Sequence, residues 1–333
     1  MKHCKNSARL NISGGMTMVT RVGFLLVPDF SMMALASASE PLRAANLIAG
    51  RTLYECELIG LAPGPVTSSA GFPILPDKTL AEGADARAYD LVVLVASLNV
   101  RRLQHQALFD WLRRSARHGS RLAAVSTGSL LMARAGLLEG RRCTIHWEML
   151  RDMQEEFPEL AVERALYVFD RDRLTCAGGT ASLDMMLAWI ANEHGGDLTA
   201  AIAENFLHTR VRNAAESQRM AVQWRFNISD QRLARAISVM EENMEEPVPP
   251  SALADLIGVS PRQLERLFQK AFSKSPARFC LELRLKHAQE LLRQSTDSIQ
   301  VIAHKCGFSS ASHFGRAYRE IFDSTPASDR RPV

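Results

Sequence analysis

The last hundred residues of the chain repeat themselves. Ala254 and Gly258 recur as Ala303 and Gly307, an offset of 49, and beyond the following turn the offset becomes 50: Leu264, Arg266, Leu267, Phe268, Phe272 and Pro276 are matched by Phe314, Arg316, Ala317, Tyr318, Phe322 and Pro326. One residue has been inserted in the second turn. Register otherwise holds over about 25 residues, which two unrelated amphipathic helices do not achieve by chance. Each copy supplies what two short helices crossing through a tight turn need: a small residue at the crossing, a glycine able to take positive φ, and apolar residues on the inner face of the second helix. Ser251 is placed to cap the first of these helices. Between the copies Ala277–Arg293 reads as a single helix, with Leu281, Leu285, Ala288 and Leu292 on one face. Two recognition helices on one rigid connector enter successive major grooves when they stand about one turn of DNA apart, roughly 34 Å.

Charge agrees with a polyanion partner for this end. Residues 251–333 hold 13 Lys and Arg against 8 Asp and Glu, a net of +5, while residues 1–250 carry a net of −1. On the exposed side of the first recognition helix stand Ser260, Arg262, Gln263 and Arg266; on the second stand Ser309, Ser310, Ser312, His313, Arg316 and Arg319. Arginine grips guanine bidentately, glutamine pairs with adenine, and serine or a helix amino end suits phosphate. A solvated helix face or a salt bridge is the plain alternative for each of them.

Four motifs, R-L-K-H-A at Arg284–Ala288, I-A-H-K-C-G-F at Ile302–Phe308, F-G-R-A-Y-R at Phe314–Arg319 and T-P at Thr325–Pro326, resemble those of the AraC/XylS family of transcription regulators. The resemblance covers residues 231–331. It implies a domain that binds asymmetric promoter sites and usually activates transcription, with RNA polymerase as a partner.

At 333 residues the chain is long enough for a second domain. Apolar runs at Val22–Val27, Leu91–Val95 and Leu122–Val125 alternate with helical stretches at Leu35–Asn46, Gln106–His118 and Ser129–Ala135. Such interleaving predicts an α/β domain, a parallel sheet with helices on both faces, followed by the all-α domain with its two helix-turn-helix units. Ligands of such sheets bind at the carboxyl ends of strands. Ala124–Gly128, A-V-S-T-G, ends a strand at Ser126 and turns at once into a helix, approaching the elbow that exposes a nucleophile in many hydrolases. His146 follows 20 residues later and is a possible base for Ser126, or else a structural histidine beside a capping serine. Candidate pocket residues at the strand ends are Phe30, Ser31, Ser97, Asn99, Ser126, Thr127, His146, Trp147, Gly179 and Thr180, with Trp147 suited to a cationic group.

Residues 20–195 resemble the PfpI-like, class I glutamine-amidotransferase-like superfamily, whose enzymes carry a cysteine at the elbow and an acidic residue just after the first strand. Here Ser126 and Ala34 stand at those places. A hydroxyl without its carboxylate neighbour is not an activated nucleophile, so the pocket reads as one that binds and does not react. A Ser/His hydrolase, and a front domain serving only dimerisation, remain the alternatives.

The two resemblances together are similar to the GlxA-type regulators, some of which control bacterial catabolism of arginine, carnitine or glycine betaine. The expected organisation is a disordered tail over 1–19, with Met16 and Met18 as alternative starts, a ligand-sensing domain over 20–212, a linker over 213–230 and a DNA-binding domain over 231–331. The expected partners are promoter DNA, an amine, betaine or amino-acid effector, and a second copy of the chain. No apolar run is long enough for a membrane span and no charged, apolar leader opens the chain. Six cysteines without a CxxC pair, and the absence of nucleotide- and zinc-binding motifs, predict reduced thiols in the cytoplasm, without cofactor or metal.

Overall fold

The computed structural model describes residues 18–294 and 297–330. The expected tail therefore lies outside the described residues except for Met18 and Val19, and so does Cys4. The chain divides into two compact units, the first ending at Gln218 and the second beginning at Arg219.

The first unit is built on a seven-stranded sheet. Its spatial order is Tyr167–Asp170, Arg173–Cys176, Arg121–Ser126, Leu91–Ala96, Thr20–Leu26, Tyr54–Gly60 and Lys78–Thr79. All neighbours run parallel except the first pair. The central strands are apolar through Val22–Leu26, Leu91–Ala96 and Leu122–Val125 because successive side chains point to opposite faces and both faces are covered. Val22, Phe24 and Leu26, with Leu91, Val93 and Val95, face one core under the helices Met32–Ala49, Ala181–His194 and Gly196–Asn205. Leu25, Val92, Leu94, Leu122 and Ala124 face the other, under Gln106–Arg117, Gly128–Arg134 and Leu150–Glu156. Among the described residues no helix is long and apolar enough to cross a membrane.

The second unit is helical, and the repeat is visible in it position by position. Helices Pro250–Leu256 and Pro261–Phe272 form the first helix-turn-helix, and Ile299–Lys305 and Ala311–Phe322 form the second. The turn glycines are alike, Gly258 at φ 70° and Gly307 at φ 71°. Ser260 and Ser310 cap the two recognition helices, and Ser273 and Asp323 close them in the left-handed conformation. The extra residue of the second copy lies between glycine and cap: Val259 alone separates Gly258 from Ser260, whereas Phe308 and Ser309 separate Gly307 from Ser310. Phe268 and Tyr318, both fully buried, anchor the two recognition helices, each worth about 1.5–3 kcal/mol of burial.

The connector helix runs Pro276–Gln294. It gives Phe279 and Cys280 to the first small core and Leu285, Ala288, Leu291 and Leu292 to the second. Ser251 does not cap the first helix as expected. Pro249 stands at the cap and Pro250 opens the helix, because a proline without an amide hydrogen suits a first turn whose amides have no helical partner.

Residues 213–230, expected as a linker, are divided between the units. The Gln218 side chain bonds to Thr144, Ile145 and Ala165 in the first, while Val222 enters the first small core of the second and Arg225 pairs with Glu241 there.

Candidate functional site

At the elbow only Thr127 separates the Arg121–Ser126 strand from the Gly128–Arg134 helix. Ser126 is held at φ 59°, a left-handed conformation that is strained for a residue with a Cβ. Two glycines permit close contacts at the elbow, Gly128 with the neighbouring strand and Gly178 with Ser126 itself. A Cβ on Gly128 would stand 2.8 Å from the Leu94 carbonyl oxygen, and one on Gly178, at φ 89°, would stand 2.5 Å from the Ser126 Cβ. Thr127 Oγ1 donates to the Ser97 carbonyl at 2.7 Å and so ties two adjacent strand ends together. The His146 amide donates to the Ser126 carbonyl at 3.4 Å. Asn99, at φ 58°, donates from Nδ2 to Asp29 Oδ2 at 2.9 Å, and the Leu98 amide donates to the Asp29 carbonyl. The strand ends thus bring together Ser97, Asn99, Ser126, Thr127 and His146, with Gly178 and Gly179 alongside.

Three expected residues make other contacts. Phe30 is fully buried in the core and its backbone bridges to Ser68, and the Ser31 hydroxyl accepts the Ala34 amide at 3.2 Å as a helix cap. Thr180 Oγ1 accepts an Arg212 guanidinium hydrogen at 2.7 Å. The Trp147 ring lies 5.6 Å from that of His146. Asp29 was not among the expected residues. Its signal was an acid immediately past the first strand, in a residue type that tolerates the left-handed φ of 62° it adopts.

Among the described residues no hydrogen bond joins the Ser126 hydroxyl to the His146 imidazole, whose acidic neighbour is Glu148, 3.7 Å from Nδ1. Burial lowers the His146 pKa and keeps the ring neutral near pH 7. Ala34, where a carboxylate would support a thiol, is a fully buried methyl. Cys176 lies behind the elbow, with its thiol in contact with Ser182 and accepting the Gly178 amide, and burial pushes its pKa up, away from a reactive thiolate.

On the recognition helices, Arg262, Arg266, Arg316 and Arg319 are exposed, and their guanidinium groups form no ion pair or hydrogen bond among the described residues. Neighbouring arginines off these faces are spent on the fold. Arg278 pairs with Glu320 and Glu282, while Arg284 donates to the Cys306 and Gly307 carbonyls and lies 4.3 Å over the Phe308 ring, holding the second turn. This role for Arg284 was missed, although it opens the R-L-K-H-A motif. Ser260 and Gln263 bond to each other's backbone amides in a reciprocal cap, which takes up the Gln263 Oε1. Ser310 likewise caps the His313 amide. Ser309, Ser312 and His313 remain exposed, His313 with its ring 5.6 Å from Phe308.

Unpaired arginines on a recognition face predict a direct result. Arg316→Ala is expected to weaken binding to a preferred duplex by about 1–3 kcal/mol, measured by fluorescence anisotropy. An equal loss on unrelated DNA would make Arg316 a phosphate contact.

Both units match known proteins. Residues 20–192 match the DJ-1/PfpI family and residues 253–332 a helix-turn-helix domain. The chain is 44% identical to the HTH-type transcriptional regulator GbdR of Pseudomonas aeruginosa, over 93% of this chain and 84% of that one. It is 41% identical to the HTH-type transcriptional regulator GlxA of Rhizobium meliloti, over 94% of this chain and 96% of that one. A solved AraC family transcriptional regulator from Pseudomonas putida superposes with a TM-score of 0.52 at 27% identity, covering 56% of this chain and 99% of the other. These relatives are named as regulators and not as enzymes, in keeping with an elbow that lacks its thiol. Because the likeness runs through both units in the same order, the chain belongs to the AraC/XylS family of DNA-binding transcriptional regulators, in the GlxA-type group whose front domain has the DJ-1/PfpI fold.

Proposed function

We propose that the front unit is a sensor: a small amine, betaine or amino acid binds at the strand ends around Ser97, Asn99, Ser126, Thr127, His146, Trp147, Gly179 and Thr180 and is not turned over. Binding changes how the rear unit holds promoter DNA through Arg262, Arg266, Ser309, Ser312, His313, Arg316 and Arg319. The protein then acts in the cytoplasm as a homodimeric activator that engages RNA polymerase. The observation that carries the reading is the elbow: Ser126 is kept at φ 59°, wedged against Gly178, although among the described residues no imidazole or carboxylate is bonded to its hydroxyl. Strain of this kind persists where the surroundings over-determine it, at places that hold a ligand as well as at places that react. Trp147 is a residue of the type whose ring attracts an ammonium group.

A ligand shifts the protein only by its differential affinity for the two states. Glycine betaine, carnitine and arginine are therefore tested for two effects together. The expected hit raises the melting temperature, by the equivalent of about 2.7 kcal/mol at a hundredfold excess over Kd, and changes the Kd for promoter DNA by about fivefold or more. A panel that moves neither quantity overturns sensing of this chemical class. Release of a new product from any of the three overturns the reading of a non-reacting pocket.

A further inference from the structure

Residues 207–218, the last stretch of the front unit, contain neither helix nor strand, yet side-chain bonds hold them at two places. At the first, Asp184, fully buried in the opening turn of the Ala181–His194 helix, accepts the Arg212 backbone amide at 2.7 Å and its guanidinium at 2.9 and 2.6 Å, together with a 3.0 Å contact to His208 Nε2. The same guanidinium reaches Thr180 Oγ1. At the second, Gln218 Nε2 lies within 3.1 Å of Thr144 Oγ1, 3.0 Å of the Ile145 carbonyl and 2.8 Å of the Ala165 carbonyl. Between these points the Ala214 carbonyl accepts the Leu166 amide, and the Tyr167 hydroxyl donates to the Arg212 carbonyl.

The two anchor points reach two segments that adjoin the elbow. Ile145 immediately precedes His146, whose amide bonds to the Ser126 carbonyl. Thr180 is two residues from Gly178, the glycine pressed against Ser126. The chain then passes from Gln218 directly to Arg219, the first residue of the DNA-binding unit. The segment has no ladder of its own: it is held by these side-chain bonds, by the Leu166–Ala214 backbone bond and by Val211 and Ala214 resting on the front core. Its attachment can follow small movements in either adjoining segment.

We propose that residues 207–218 are a coupling strap, in which Arg212 and Gln218 are positioning residues that carry occupancy of the elbow to the junction with the DNA-binding unit. The proposal rests on the strand-end site being the effector site. It commits the regulation of that site to two anchor points: Arg212 on Asp184 and Thr180, beside the Gly178–Thr180 loop, and Gln218 on Thr144, Ile145 and Ala165, beside the Ile145–His146 turn.

The test needs no effector. Full-length protein is used with a duplex that it has itself enriched from a random DNA pool. Gln218→Ala is expected to speed amide exchange over 207–218 by about tenfold and to move the Kd for that duplex by about fivefold in either direction. Arg212→Lys, which keeps the charge and loses the planar fork, is expected to shift both readouts in the same direction. Gln218→Met, which keeps the volume and removes the donors, replaces the alanine variant if that one fails to fold. Arg43→Ala, at an exposed pair with Glu40 on the Met32–Ala49 helix, is expected to change neither readout. Faster strap exchange with an unmoved Kd would show a mere domain closure and overturn the proposal, and so would unchanged exchange in all the strap variants. Failure of glycine betaine, carnitine and arginine to bind would remove the sensor reading without touching these results, so the two failures are distinguishable.

Discussion

Gly178→Ala is expected to destabilise the front unit by about 4 kcal/mol, the sum of a strained φ and an overpacked contact. At φ 89° an L side chain is strained whatever the space around it, and the added methyl would stand 2.5 Å from the Ser126 Cβ and 2.8 Å from its Cα. Neither neighbour can retreat. Ser126 is itself in a left-handed conformation at the end of a central strand, and Gly128 behind it sits close against the Leu94 carbonyl. Domain stabilities of about 5–15 kcal/mol leave little after such a loss. Urea denaturation followed by circular dichroism measures it, with the transition of the rear unit serving as an internal standard. A loss below about 1 kcal/mol would mean that the elbow is softer than its geometry states.

Gly307→Ala is expected to separate the two halves of the DNA-binding unit. Gly258 and Gly307 share a φ near 70°, so alanine strains each by about 1–2 kcal/mol. Around Gly258 no atom lies within 4 Å of an added methyl, and the strain is the whole effect. A methyl on Gly307 would stand 2.6 Å from the Met244 carbonyl oxygen, 2.7 Å from that of Glu245 and 2.9 Å from Pro247 Cδ. Moving backbone to accommodate it brings the total to about 3 kcal/mol or more. The expected footprint of Gly307→Ala loses protection over one half of the site and keeps it over the other, while Gly258→Ala keeps both. Equal losses from the two substitutions would show that the 244–247 segment yields.

The parts of this fold legible from sequence were those where one period dominates. Central strands with apolar residues on both faces, and a connector with leucines on one face, are located to within a few residues. Tyr54–Gly60 was missed because Glu55 and Glu57 interrupt its pattern near the sheet edge, and Arg173–Cys176 because four residues carry no period. The elbow could be found because its residues are contiguous. The Asp184–Arg212 clasp could not, since its members lie 28 positions apart, and the Gln218 anchor spans 73 positions to Ile145. Gln263 looked like a base reader because its type suits adenine; only coordinates show its amide turned back to Ser260. Exposure of a helix face can be inferred from periodicity, but which exposed groups are already bonded cannot.

The single residue added between Gly307 and Ser310 leaves each recognition helix in the same phase relative to its own core, since Leu264 and Phe314 both stand four places past their caps. What changes is the length of chain spanning each turn. The two readers are therefore unequal in attachment as well as in side chains, and they are fixed in one order along one connector. A stretch of DNA that accepts them has a head and a tail. Turning it end for end would leave its composition unchanged and yet present each helix with the other's bases, so a DNA site that fits this unit carries an arrow.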